Sequence, residues 1–398
     1  MERNSTFSVG NKGEKVRSDC FISLELKEKG GVRINLSSKV KSIYGEHIEL
    51  LCLEILSFFD LKNAILDIED SGALDFVIAA RLEAVIKQAI QTDKEFLFNF
   101  IPENESGSAK NKPRVTRLYL PGNTPSLMIN SGIHKPCAII LDLEDSVAFS
   151  KKQEARYLVR NALRSLDFLG SERMVRINQF PEGLKDLQFI VPHNVNLILI
   201  PKCENEAQIK AICSQIDEIQ KETKFVNPIW LMPIIESAKG LVNILEIAKS
   251  SNLIVGIAIG LEDYTSDLGV KRTQLGIETL YARAQIITYC KALGIQPIDS
   301  VFSDIEDLEA LRENVLSSKS MGFVGMGCIH PRQIGVIKEY FAPSPNELEE
   351  ARKIVAAYNE AEEKGLGVIS LGTKMVDAPV VEKAKSIIRQ ALEFKDLY

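Results

Sequence analysis

Eight short apolar runs, spaced by helix-length segments and ending in polar residues, constrain this 398-residue chain most. They are TRLYL (116–120), CAIILDL (137–143), MVRIN (174–178), NLILIP (196–201), IWLMPII (229–235), LIVGIAIG (253–260), PIDSVF (297–302) and FVGMGCI (323–329). Runs rich in branched apolar residues and alternating with helical patterns read as parallel strands joined by helices. Eight of them predict a (β/α)8 barrel, a TIM barrel. An open doubly wound sheet is the alternative. It does not explain why polar residues recur at the C-terminal end of nearly every run, where barrel loops converge on one mouth. There the chain carries Asp142, Glu144 and Asp145, then Arg176, then Glu236, then Glu262 and Asp263. Carboxylates gathered at one mouth suit a hard divalent cation. The alternative for each is a cap on the following helix.

Outside residues 115–344 the pattern changes. DCFISLEL (19–26) and VRINL (32–36), joined by EKGG, read as a hairpin. Helical periodicity follows over 45–59, a strand over 64–68 and a second helix within 72–90. Residues 1–92 thus read as a small α+β domain. Residues 93–114, with NFIPENESGSAKNKPR, read as an interdomain linker. Residues 345–398 read as a helical C-terminal lid or oligomerisation segment: helices over 345–362 and 380–394 flank a loop or lid, GLGVISLGTKMVDAP.

Composition excludes several classes. A net charge of -6 without a basic tract argues against a nucleic-acid surface. No apolar stretch approaches the roughly 20 residues that span a bilayer. The N-terminus has no apolar h-region, and the seven cysteines show no Cys-x-x-Cys spacing, so a cytoplasmic protein with reduced thiols is expected. GIAIG lacks the Gly-x-Gly-x-x-Gly spacing of a dinucleotide fingerprint, and no Gly-x-Ser-x-Gly elbow supports a serine hydrolase.

The strings RLYLPGN (117–123), LDLEDSV (141–147), VRIN (175–178), IESAKG (235–240), GLEDYTSDLG (260–269), YARAQI (281–286), GIQPIDSVFSD (294–304), GFVGMGCIHPRQI (322–334) and GLGVISLGTKMVDAPVV (365–381) lie in one order along the chain. Together they resemble the citrate lyase β-chain and its malyl-CoA and citramalyl-CoA lyase relatives, over residues 115–398. GEHIELLCLEIL (45–56) and SGALDFVIAARLEAVI (71–86) resemble the citrate lyase γ-chain, a small acyl carrier, over residues 17–90.

The resemblance implies a Mg2+-dependent (or Mn2+-dependent) carbon–carbon lyase. Such an enzyme cleaves a citryl-, citramalyl- or malyl-type 3-hydroxyacyl thioester into an acetyl thioester and a 2-keto acid. It implies Glu236 and Asp263 as metal ligands, and Arg176 and Asp377 as catalytic residues. Arg117 and Lys151 would bind the CoA thioester near its phosphates, with Asp142, Glu144 and Asp145 supporting Arg176 and the metal's waters. Residue-level alternatives are an Arg176 paired structurally with Glu144 or Asp145, an Asp377 that caps the last helix, and solvated cations at 117 and 151. His330, Asp299 and Asp304 read as structural. A homotrimer is implied, with a citrate-lyase-like transferase subunit as a further partner. The carrier family bears a phosphoribosyl-dephospho-CoA arm on a serine two positions before an aspartate. Here Arg17 stands two before Asp19 and Ser18 is out of register, so the domain reads as unmodified, the substrate as a diffusible CoA thioester, and residues 1–110 as removable. The alternative function is a non-catalytic scaffold or carrier subunit of a citrate-lyase-like complex.

Overall fold

A computed structural model describes residues 6–273, 275–362, 369–371 and 374–395. The N-terminal domain is a four-stranded sheet in the order β1-β2-β4-β3, with β1 at Thr6–Gly10, β2 at Cys20–Leu26, β3 at Val32–Ser38 and β4 at Ala64–Asp70. Helices Lys41–Phe58 and Asp75–Ala89 pack on it. The expected hairpin does not form. β2 pairs antiparallel with β1 and β4, while β3 pairs parallel with β4. The buried row Ala64, Leu66 and Ile68 gives β4 the apolar face of a central strand. It takes the slot between β2 and β3, and helix Lys41–Phe58 is the crossover that a parallel β3–β4 pair requires. The short strand β1 has no counterpart among the sequence-based expectations.

The eight predicted runs form a closed parallel barrel: β5 (Thr116–Pro121), β6 (Ala138–Asp142), β7 (Glu172–Arg176), β8 (Leu197–Ile200), β9 (Trp230–Ile235), β10 (Gly256–Ile259), β11 (Gln296–Asp299) and β12 (Gly325–Cys328). β12 closes the ring on β5. Alternate residues such as Ala138, Ile140, Met174, Leu199 and Met232 fill the interior, and Ile139, Leu141, Val175 and Ile198 face the helices. That alternation brings the strand-end residues Asp142 and Arg176 onto the inner side as well.

Residues 99–114 are not a free linker. Buried Asn104 donates to the carbonyls of Leu163 and Leu166 at 2.9 and 2.7 Å, and Trp230 Nε1 donates to Ser108 O at 2.7 Å. Arg114 reaches Glu172 with Nε and Nη2, both at 2.8 Å and fully buried. The segment is a strap across the N-terminal ends of the strands. The small domain is also welded to the barrel. Arg81 grips Asp19 at 3.0 and 2.9 Å and Glu154 at 2.7 Å. Arg160, from the barrel helix Lys152–Ser165, grips Glu83 at 3.0 and 2.6 Å. Removing residues 1–110 would strip Glu154 and Arg160 of these partners, a cost that the expectation of a removable N-terminal part did not include.

Helix Pro345–Glu362, a small hairpin of Ile369–Leu371 with Lys374–Val376, and helix Ala378–Lys395 complete the described chain. Parts of the expected lid, 365–368 and 372–373, lie outside the described residues. Lys383, Ile387 and Gln390 of the last helix line a cavity with Arg114 and Gln296, at the N-terminal end of the barrel. No described helix is long and apolar enough to cross a membrane.

Candidate active site

Asp142 ends β6, Arg176 ends β7, and Glu236 follows β9 directly. Asp263 lies in the first turn of helix Leu261–Asp267, which follows β10. All four line one cavity of about 360 Å³ at the C-terminal mouth, together with Arg117 and Tyr119.

Arg176 is held from two sides. Its Nε and Nη2 donate to Asp142 Oδ1 and Oδ2, each at 2.7 Å. Glu144 Oε2 lies 2.7 Å from Nη1, an ion pair not aligned as a hydrogen bond. The Tyr119 ring lies 5.4 Å from the guanidinium. Burial opposes the charge on Arg176, but the bonds and charge of Asp142 outweigh it and raise its pKa. Burial likewise works against ionised Asp142, and Arg176 overrides it, so the carboxyl sits below its ordinary range. Glu144 shifts the other way: burial raises it more than Arg176 and Gln179 lower it.

Glu236 is 5% exposed and has no cationic side chain in ion-pair contact among the described residues. It accepts one hydrogen bond, from Lys202 N at 2.6 Å. Burial first, then the charges of Glu144 and Asp263, push its carboxyl up to about 8. A buried carboxylate in anionic surroundings is a group short of a positive charge. Gly260 makes room for it: a Cβ there would stand 2.3 Å from Glu236 Oε2. Asp263 is more open and meets Lys202 Nζ at 3.3 Å. Among the described residues no three carboxylates, histidines or cysteines converge on a ready-made metal cage. Two carboxylates facing an open cavity fit Mg2+, which commonly takes one or two of them and fills its other positions with water and substrate oxygens.

The remaining expected site residues are placed variously. Lys151 donates to Gly10 O at 3.0 Å and pairs with Glu154 at 2.7 Å. It belongs to the junction with the small domain, not to the cavity. Arg117 is 1% exposed inside the barrel, so it floors the cavity and is too deep for a phosphate at the rim. Asp145 is exposed beyond the Arg176 cluster. Asp377 accepts from Val380 N at 3.3 Å, at the start of the last helix, and does not line the mouth. Ser18 has a left-handed backbone (φ 53°), is half-buried, and donates its N–H to Ser71 O. Asp299 lines the cavity but is pinned by Arg283 and Ser318 at 2.5 Å each, and His330 Nδ1 accepts from Arg332 N. Lys202, Gly260 and Tyr119 join the site without having been singled out by sequence. Lys202 and Gly260 immediately follow or end predicted runs, which was the available signal.

Residues 116–331 match the HpcH/HpaI aldolase/citrate lyase family, and residues 12–89 match the malonate decarboxylase delta subunit (MdcD), an ACP family. Citrate lyase subunit beta of Leuconostoc mesenteroides subsp. cremoris is 38% identical over 283 residues, covering 70% of this chain and 93% of that protein. The mitochondrial citramalyl-CoA lyase of Homo sapiens is 32% identical, over 74% of this chain and 90% of its own. The crystal structure of protein CitE from Mycobacterium tuberculosis, in complex with magnesium, acetoacetate and coenzyme A, superposes with a TM-score of 0.59 at 27% identity. It covers 71% of this chain and 99% of that one.

Proposed function

The chain belongs to the HpcH/HpaI aldolase/citrate lyase family, and from that footing we propose that its barrel mouth cleaves a 3-hydroxyacyl-CoA thioester in a Mg2+-dependent retro-Claisen reaction. The products are an acetyl thioester and a 2-keto acid. One observation carries the reading: Glu236, a buried carboxyl with no cationic partner among the described residues, shares a cavity with Asp263 and a rigidly forked arginine.

Glu236 and Asp263 would hold the ion. When bound, it supplies a Lewis acid and template for the substrate's hydroxyl and adjacent carboxylate. In the reaction the hydroxyl loses its proton and becomes the keto carbonyl. The carbon–carbon bond breaks, and its electron pair moves into a thioester enolate. Asp142 takes two of the five N–H groups of Arg176, leaving others to donate to the enolate oxygen. Because Asp142 also fixes the plane of the guanidinium, little reorganisation is needed as charge develops. The enolate carbon must then gain a proton. Asp377 is the candidate donor, and since the last helix packs at the far end of the barrel, a second copy of the chain would bring it. A trimer, as the resemblance implies, would repeat that exchange around a ring.

In this reading the N-terminal domain carries no arm. Arg17 offers no hydroxyl, and Ser18 sits in a constrained turn beside a pinned Asp19. A transferase subunit would then be dispensable for cleaving a CoA thioester. The free, mostly buried thiols fit a reducing cytoplasm.

The test is turnover of citryl-, citramalyl- and malyl-CoA with Mg2+ and with excess chelator, together with the intact mass of the chain. Cleavage that stops on chelation, at unmodified mass, is expected. Full turnover in chelator would sink the metal reading. A phosphoribosyl-dephospho-CoA adduct on residues 17–28 would restore a tethered carrier.

A further inference from the structure

Arg117 projects inward from β5 at 1% exposure, and no carboxylate pairs with it among the described residues. Its Nη1 donates to Met232 Sδ at 3.1 Å, and its Nε has no partner. Three other fully buried arginines are treated differently. Arg81, Arg114 and Arg160 each meet carboxylates within 3.0 Å. A dry guanidinium with only a thioether for company is an unfavourable arrangement unless something else supplies the negative charge. Burial pulls its proton affinity down, which expresses the same deficit.

Its position says what that something is. Arg117 lines the same cavity as Arg176, Glu236 and Asp263, and its register partner Gly327 lines it too. Four residues further along β5, Pro121 pairs with Asp142 at the rim. At about 3.3 Å per residue, Arg117 is therefore rooted roughly 13 Å below the reacting level. The acidic groups cluster at that upper level, and Arg117 is the cation at the floor. An anion entering head-first meets carboxylates near the metal site and an unpaired guanidinium beneath.

We propose that Arg117 receives a second carboxylate of the substrate, at the end of a carboxymethyl group on the carbon that becomes the keto carbon. The acyl group is then of the citryl type, and the 2-keto acid released is a dicarboxylate. This deepens the lyase reading and rests on it. A methyl group or hydrogen in place of the carboxymethyl group leaves the guanidinium unpaired, and a site built for a polar group discriminates steeply against an analogue lacking it.

Calorimetry on the full chain with Mg2+ tests this through binding alone, with oxaloacetate and pyruvate as probes. Oxaloacetate is expected to bind about 100-fold more tightly than pyruvate. Arg117→Met is expected to abolish that preference. In turnover, the same variant should lower kcat/KM for citryl-CoA about 100-fold more than for citramalyl-CoA. Equal affinities in the unsubstituted protein, or equal losses on both thioesters, would overturn the proposal. Should Arg117→Met fail to fold, the oxaloacetate-to-pyruvate ratio of the unsubstituted protein decides alone. Failure to cleave citryl-, citramalyl- or malyl-CoA would refute the lyase reading instead, and the calorimetric ratio would still decide the role of Arg117.

Discussion

The two ends of this barrel treat buried charge in opposite ways. At the N-terminal end and along the junction, arginine and carboxylate meet as forks: Arg114 with Glu172, Arg160 with Glu83, and Arg81 with Asp19 and Glu154. At the mouth, among the described residues, Glu236 lacks a cationic partner and Arg117 an anionic one. Arg176 is matched there, and its partners fix its orientation. Paired charges hold elements together. Unpaired ones store an affinity that a ligand can satisfy. Substitutions should therefore split cleanly, with function lost at one end and stability lost at the other.

Asp263→Ala should show the largest effect, lowering turnover by roughly 10³-fold or more with the melting temperature unchanged in metal-free buffer. A parallel drop in metal-free stability would mean that the mouth is structural after all. Next comes Arg176→Lys, which keeps the charge but cannot span Asp142 with a planar fork. Turnover should fall roughly 100-fold. Near-normal rates would reassign the arginine to structure.

The opposite end is tested by Glu172→Gln, which leaves Arg114 buried against a neutral amide. Denaturant unfolding should show a loss of about 3–5 kcal/mol, with activity per folded molecule preserved. Unchanged stability would erase the contrast between the two ends. The smallest effect concerns His193, buried just before β8, where its Nδ1 faces Arg164 Nη1 at 3.1 Å. Burial, then the charges of Arg160 and Arg164, hold its proton affinity well below that of a free imidazole. Its contribution is thus fully present above the unfolded-state pKa of about 6.5 and falls as pH drops below it, by about 1.4 kcal/mol per pH unit. His193→Gln should flatten that slope. An unchanged slope would assign the acid sensitivity to other groups.

The barrel was legible because its strands repeat one local rule: an apolar run, then polar residues, eight times. The mouth was legible for the same reason, since strand ends converge whatever the loops do. What escaped depended on partners far along the chain. β2 and β3 look like a hairpin until β4, which follows a whole helix later, takes the slot between them. The 99–114 strap carries loop composition, yet Asn104, Ser108 and Arg114 are ordered by Leu163, Trp230 and Glu172, all distant in sequence. Lys151 and Arg117 carry the same charge in sequence. Only the fold places one at a domain junction and the other beneath the reacting level. Arg81 and Glu83 did leave a trace, as charges inside the apolar helix AARLEAVI, where a buried ionic contact was the available reading.

Barrel closure has a consequence in time. β5 pairs β6 early, but its other edge waits for β12, where Cys328 is the register partner of Leu118. At about 5–20 residues per second, a ribosome takes roughly 10–40 s to supply the chain between those two residues. Through that interval Thr116–Leu118 is an open edge on a nascent sheet, the kind of surface that recruits wrong partners. The residues that surround it early are already made: the strap lies immediately upstream, and Arg114 finds Glu172 within 58 positions. The strap and its buried pair can thus shelter the seam of the barrel while the chain is still being written.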